Sequence, residues 1–136
     1  MRLEEVGPTI ARLQMLTAAA ETDEDLAELQ DVLASFDDAD AQRELVRVLA
    51  VSTAEKMPNG GSLAVRDRAD FLALGLLQAV EVLGRADLRE LVSGLDPRAL
   101  SEIATSLVVF WHEACIQAAA VTLTRVSVPE HAPEET

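Results

Sequence analysis

His112 and Cys115 come closest to a chemical site by residue type and spacing. They lie three positions apart, so on a helix they share one face and would supply half of a metal site. The only other histidine in the sequence is His131, and there is no second cysteine. Carboxylates would therefore have to complete any ligand set. We expect no metal and no cofactor, and interpret Cys115 as a small buried apolar residue beside a partly exposed histidine.

Arrangements for nucleophilic catalysis are also incomplete. The apolar stretch around Cys115 disfavours the thiolate that a cysteine nucleophile requires. The sequence contains no Gly-x-Ser-x-Gly turn. Gly60-Gly61-Ser62 superficially resembles a phosphate-binding loop, but no lysine follows it and no strand is predicted before it. We expect no enzyme, and an unrecognised carboxylate site is the remaining route to catalysis.

The most distinctive polar feature is the acidic stretch 21–44, which contains ten carboxylates and one base, Arg43. Several of the acids fall in the first turns of predicted helices, where they favour the helix dipole. That role, together with solubility, is one interpretation. The other is a negative surface that docks a basic partner or imitates DNA phosphates, centred on Glu24, Asp25, Glu28 and Asp31.

The net charge of the whole chain is −13. This charge argues against direct binding of nucleic acid or of an anionic membrane, because both need Lys and Arg to displace counterions. The start of the chain, residues 1–5, has two acids and does not read as a signal peptide. With a single cysteine, we expect a cytoplasmic protein. One lysine among eleven basic residues indicates a GC-rich genome, bacterial or phage.

The composition, with 49% apolar residues and few glycines or prolines, predicts an all-α single-domain bundle of five to six helices over residues 1–126. Residues 127–136 are predicted to form a disordered tail. Caps are expected at Thr22, with Asp25 completing a capping box, and at Asp38, Ser62 and Asp96. Residues 58–61 should form a loop. The predicted helices are Pro8–Ala20, Asp23–Phe36, Ala39–Met57, Leu63–Leu83, Ala86–Ser93 and Pro97–Thr124.

The fourth and sixth predicted helices, 63–83 and 97–124, are more apolar than one small core needs. At 100° per residue, the apolar groups of helix four cover about 250° of its circumference. Helix four should therefore be central, and the small residues Gly75 and Ala79 would permit a close helix crossing.

Helix six has two apolar stripes, of which the first is assigned to the core. The second contains Val109, Ile116, Ala120 and Leu123 at heptad-like spacing, interrupted by His112. Because one small domain has few helices to cover both stripes, we expect a homodimer through this face or through helix four. A membrane span is not expected, since His112 and Glu113 lie in the middle of the segment.

The sequence therefore predicts a non-enzymatic protein–protein interaction or regulatory module, homodimeric through its apolar helices. The alternative is an acidic inhibitor or immunity protein, with a DNA mimic as one form, that binds a basic partner through residues 21–44.

Overall fold

The computed structural model describes residues 2–56, 63–83 and 85–127, and within them the backbone forms α-helices and no strand. This confirms the all-α bundle predicted from composition. The six helices are α1 (Leu3–Ala19), α2 (Asp23–Ala34), α3 (Ala39–Lys56), α4 (Arg68–Leu83), α5 (Arg85–Ser93) and α6 (Pro97–Ser127). The predicted loop 58–61, the Ser62 cap and residues 128–136 of the predicted tail lie outside the described residues.

Three of the predicted caps are present in the structure. The Thr22 hydroxyl accepts a hydrogen bond from the backbone N–H of Asp25 at 3.2 Å, and the Asp25 carboxylate accepts one from the N–H of Thr22 at 3.1 Å. The Asp38 carboxylate accepts from the N–H of Ala41 at 2.7 Å, and that of Asp96 from Ala99 at 2.8 Å. Each cap satisfies a backbone donor that the first helical turn leaves unpaired.

Helix α1 begins at Leu3, so Pro8 lies inside the helix and not at its predicted start. Proline has no N–H to donate to the carbonyl of Glu4, which weakens the helix at this turn. The reason that the helix nevertheless extends back is tertiary: Val6, Ile10 and Leu13 form one buried stripe. Burying Val6 needs a helical register before Pro8.

Helix α4 begins at Arg68, five residues later than predicted. Its cap is Asp67, whose side chain accepts a hydrogen bond from the N–H of Asp70 at 2.9 Å. Residues 63–67 form a non-helical approach to the helix. Two of these five residues, Arg66 and Asp67, are charged, and they interrupt the apolar period directly before the helix begins.

The core lies between α3 and α6, which make the most extensive contact in the bundle. Helix α6 is central as predicted, with Leu100, Ile103 and Leu107 almost fully buried. Helix α3 takes a more central place than its sequence indicated. Helix α4 packs against α3, α5 and α6 and leaves its opposite face uncovered.

Candidate interaction surfaces

The outward side of α4 carries an apolar stripe that no other part of the described chain covers. We call Phe71, Gly75, Gln78 and Val82 the α4 outer face; all four residues are exposed. Phe71 is 67% and Val82 80% exposed. Their spacing of four, three and four places them on one side of the helix, opposite Ala73 and Leu77, which are buried. The surplus of apolar residues in helix four therefore faces solvent.

Gly75 lies in the middle of the α4 outer face. A β-carbon added there would meet no atom within 4 Å outside the helix backbone itself. The close helix crossing that Gly75 and Ala79 were expected to permit is therefore not made within the described chain. A glycine in a helix interior destabilises the helix by about 1 kcal/mol relative to alanine, and no described residue uses the space that Gly75 leaves.

A second apolar surface is a groove between α2, the end of α1 and α6, which we call the α2–α6 groove. Its volume is about 280 Å³. Leu26 of α2 is 52% exposed and Val109 of α6 is 41% exposed on its walls. The groove is lined by Thr17, Ala20, Glu21, Thr22, Asp23, Leu26, Leu29, Val108, Val109 and His112.

His112 lines this groove with a defined orientation. Its Nδ1 lies 2.8 Å from the backbone oxygen of Thr17 near the end of α1. A carbonyl oxygen only accepts hydrogen bonds, so Nδ1 must carry the proton and donate. In the neutral imidazole, Nε2 is then an acceptor. The neighbouring Trp111 makes a similar contact, with its indole N–H donating to the backbone oxygen of Gln14 at 3.1 Å.

The residues predicted to form an oligomer interface on α6 are placed unevenly. Val109 and Ile116, which is 49% exposed, face outward, and Ala120 is exposed. His112 is half-buried and holds the end of α1. The side chain of Leu123 lies outside the described part of the chain. Val109 and Ile116 are each less exposed than Phe71 and Val82 of the α4 outer face.

The four acidic residues predicted to bind a partner are also in different situations. The carboxylate of Asp25 accepts from the backbone N–H groups of Glu21 and Thr22 at 3.0 and 3.1 Å, and these bonds lower the pKa of Asp25 below its usual value. Glu28 pairs with Arg12 of α1 at 3.1 Å. Glu24 and Asp31 are exposed.

None of those four residues lines the α2–α6 groove. The carboxylates on its rim belong to Glu21 and Asp23. At 100° per residue, Leu26 lies about 140–160° around α2 from Glu24, Glu28 and Asp31. The predicted acidic surface and the groove are thus on opposite sides of the same helix.

The one charged residue that is buried among the described residues is Asp70, at 1% exposure. Its Oδ2 accepts from the backbone N–H and the Nε of Arg66 at 3.0 and 3.1 Å. Burial raises the pKa of this carboxyl, but hydrogen bonding from Ser106 and Arg66 and the charge of Arg66 outweigh burial, so the pKa lies below its usual value. Asp70 therefore fastens the approach 63–67 to α4.

His112 and Cys115 are the residues that the sequence analysis considered for metal or thiol chemistry. Within residues 2–56, 63–83 and 85–127, no three His, Cys, Asp or Glu side chains come together as a metal site would require. Cys115 is a half-buried free thiol. By length and composition, Pro97–Ala120 is the single stretch of the described chain that could cross a membrane, but a soluble core helix passes the same test, and this one packs Leu100, Ile103 and Leu107 into the core.

No family model, no curated protein and no solved structure matches this chain.

Proposed function

We propose that the protein is a non-enzymatic interaction module that forms a homodimer through the α4 outer face. The observation that carries the proposal is an uncharged stripe directed away from the bundle, in which the large apolar side chains of Phe71 and Val82 are mostly exposed. A contiguous exposed apolar patch on a small domain is typical of an interaction site. A second helix that covers this patch must itself present an uncharged face, because a charge there would be buried without a partner.

The shape of the stripe suits a helix partner. In knobs-into-holes packing, a hole is formed by residues at i, i+3, i+4 and i+7. One hole begins at Phe71 and ends at Gln78, and the next begins at Gly75 and ends at Val82. Gly75 is a member of both holes. Because Gly75 has no side chain and nothing fills the space above it, both holes are deep enough to admit a large side chain.

A second copy of the chain supplies such a side chain. With two α4 helices antiparallel about a two-fold axis between Gly75 and Gln78, Phe71 of each copy meets the hole that ends at Val82 of the other. Gln78 of each copy then lies over Gly75 of the other. A two-fold interface is self-complementary in this way, with each contact made twice. The stripe contains no charged residue, so this interface buries no unpaired charge of the stripe.

The expected dimer is reversible. A stable interface buries about 800 Å² on each partner, and one face of a 16-residue helix provides only part of that area. We therefore expect dissociation in the micromolar range and a strong dependence on protein concentration.

Sedimentation velocity and light scattering across a concentration series test the proposal. The wild-type chain should shift from monomer to dimer as concentration rises. Phe71→Glu and Val82→Glu should each remain monomeric with unchanged helical circular dichroism, because these side chains contact solvent in the monomer.

Met15→Glu is the matched control, since Met15 is an equally exposed large apolar residue on α1, and this variant should dimerise normally. Ile116→Glu examines the predicted α6 face and should also dimerise. A wild-type monomer at high concentration overturns the proposal. Loss of the dimer in Ile116→Glu but not in Phe71→Glu would place the interface on α6 instead.

The alternative function, an acidic inhibitor of a basic partner, draws less support from the geometry. Asp25 is engaged in capping α2, and Glu28 pairs with Arg12. Glu24 and Asp31 are what this surface offers a partner. A salt-sensitive complex with a basic protein, lost in the Glu24→Lys, Asp31→Lys double variant, would favour the inhibitor.

A further inference from the structure

We infer that the α2–α6 groove binds a basic amphipathic helix of a partner protein, placing an aliphatic side chain between Leu26 and Val109 and an Arg or Lys beside Glu21 and Asp23. This interaction is separate from the proposed dimer, because the groove and the α4 outer face share no residue. The inference rests on the groove's size, on its apolar walls and on the sign of its polar rim.

The size and walls of the groove fit a side chain. Its volume of about 280 Å³ lies below the range of roughly 300–1,000 Å³ typical of sites for drug-sized ligands. Leu26, Leu29, Val108 and Val109 supply its apolar surface, and Leu29 and Val108 are buried at its floor. One or two aliphatic side chains of a docked helix would cover Leu26 and Val109, which the chain itself leaves exposed.

The charged residues on the rim of the groove are both acidic. Glu21 and Asp23 are exposed, and no ion pair engages either carboxylate within the described chain. The Nε2 of His112 adds an acceptor, because its Nδ1 donates to Thr17. No Lys or Arg lines the groove. A ligand with N–H donors and a positive charge matches this rim, whereas a carboxylate would meet repulsion.

The position of the partner's Arg or Lys side chain follows from where the carboxylates of the groove lie. On its other side Val109 borders a different cleft, whose lining mixes two arginines with three carboxylates, whereas Glu21 and Asp23 are the charged residues of the groove. A basic side chain is therefore favoured at the turn between α1 and α2. On a helical ligand, a residue three or four positions from the aliphatic anchor reaches Glu21 and Asp23.

Two synthetic helical peptides test the inference. Both have leucines at i and i+4, and they differ only in the flanking positions, which are arginine in one and glutamate in the other. Titrated into the full chain and followed by nuclear magnetic resonance, the arginine peptide should shift the resonances of Leu26, Val109 and His112. The glutamate peptide should bind at least fivefold more weakly.

Charge reversal supplies the matched controls. Asp23→Arg should weaken binding of the arginine peptide by about two- to fivefold, the range measured for one exposed ion pair, and should improve binding of the glutamate peptide. Glu24→Arg makes the same charge change on the opposite side of α2 and should leave both affinities within twofold. Equal effects of the two variants would show a non-specific charge response and overturn the inference.

Two further outcomes also decide the question. If neither peptide perturbs the groove resonances at millimolar concentration, or if both bind equally, the groove does not recognise a basic helix. If Val109→Glu or Asp23→Arg abolishes the dimer, a second copy occupies the groove and the inference is wrong. Repeating the titration in Phe71→Glu separates this result from the proposed dimer, since a monomeric variant with an intact groove should bind the arginine peptide as the wild type does.

Discussion

Gly75→Ala should stabilise the monomer and weaken the dimer at the same time. In the monomer the new methyl group meets no atom within 4 Å outside the helix backbone, so the change in stability is that of helix propensity alone. Alanine is favoured over glycine in a helix interior by about 1 kcal/mol. For a chain of 136 residues this corresponds to a rise in Tm of roughly 3–5 °C.

In the dimer the same methyl group projects into the hole that Gln78 and Phe71 of the second copy occupy. Adding a methyl group to a packed contact costs about 1–3 kcal/mol, and the symmetric dimer contains this contact twice, so the dimer should be weakened by about thirtyfold or more. Monomer stability is measured by urea unfolding in the Phe71→Glu background, where dimerisation does not contribute. Dimer affinity is measured by sedimentation of the single variant.

Ser101→Ala is the matched control. Ser101 is exposed on α6, so replacing it by the better helix former should stabilise the monomer by about 0.5 kcal/mol and leave the dimer unchanged. Two results would refute the reasoning. If Gly75→Ala dimerises as tightly as the wild type, no second helix packs at that position. If Gly75→Ala lowers the stability of the monomer, a neighbouring group lies where the structure shows open space.

Four other substitutions examine the fold by urea unfolding. Leu107→Ala should destabilise the chain by about 2–5 kcal/mol because it leaves a cavity in the core, whereas Leu26→Ala, at a half-exposed position, should cost less than about 1 kcal/mol; equal losses would contradict the burial of Leu107. Asp70→Asn should cost about 1–3 kcal/mol, since the hydrogen bonds from Arg66 lose their charged acceptor. The pKa of Asp70 is lowered from 3.8, so its stabilisation is fully present above that pH and is lost as the pH falls through the folded-state value; the Asn variant should show a flatter loss of stability below pH 3.8, and an unchanged acid profile would contradict this. Thr22→Ala should cost about 1 kcal/mol by removing the α2 cap, and a neutral result would show that Asp25 suffices alone.

The helix caps were predictable from sequence because their hydrogen bonds are local. Thr22 and Asp25 are three residues apart, and Asp96 precedes Pro97, so the pattern itself contains both partners of each contact. The start of α1 was not predictable in the same way. Local chemistry at Pro8 favours a beginning there, and the burial of Val6 against distant residues overrides it.

The candidate surfaces were predictable in part. An excess of apolar residues in helix four is visible in the sequence, but a periodic pattern cannot show which of several apolar sides a neighbour covers. Leu26 illustrates the same difficulty. It continues the stripe of Leu29 and Phe36, yet lies at the edge of that stripe, where α6 stops short of covering it. The burial of Asp70 gave no signal in the sequence beyond its place three residues after Asp67.

The contact between α1 and α6 has a consequence for the order in which the chain matures. Trp111 and His112 hold the backbone of Gln14 and Thr17 across 97 and 95 residues of sequence. During translation, α1 leaves the ribosome long before these partners are made. The backbone oxygens of Gln14 and Thr17 lack these two donors until α6 emerges, although α1 can already pack against α2 and α3. The contacts between α1 and α6 are therefore completed late, and in nascent chains stalled before Trp111 the end of α1 should be more open to proteases than in the full chain.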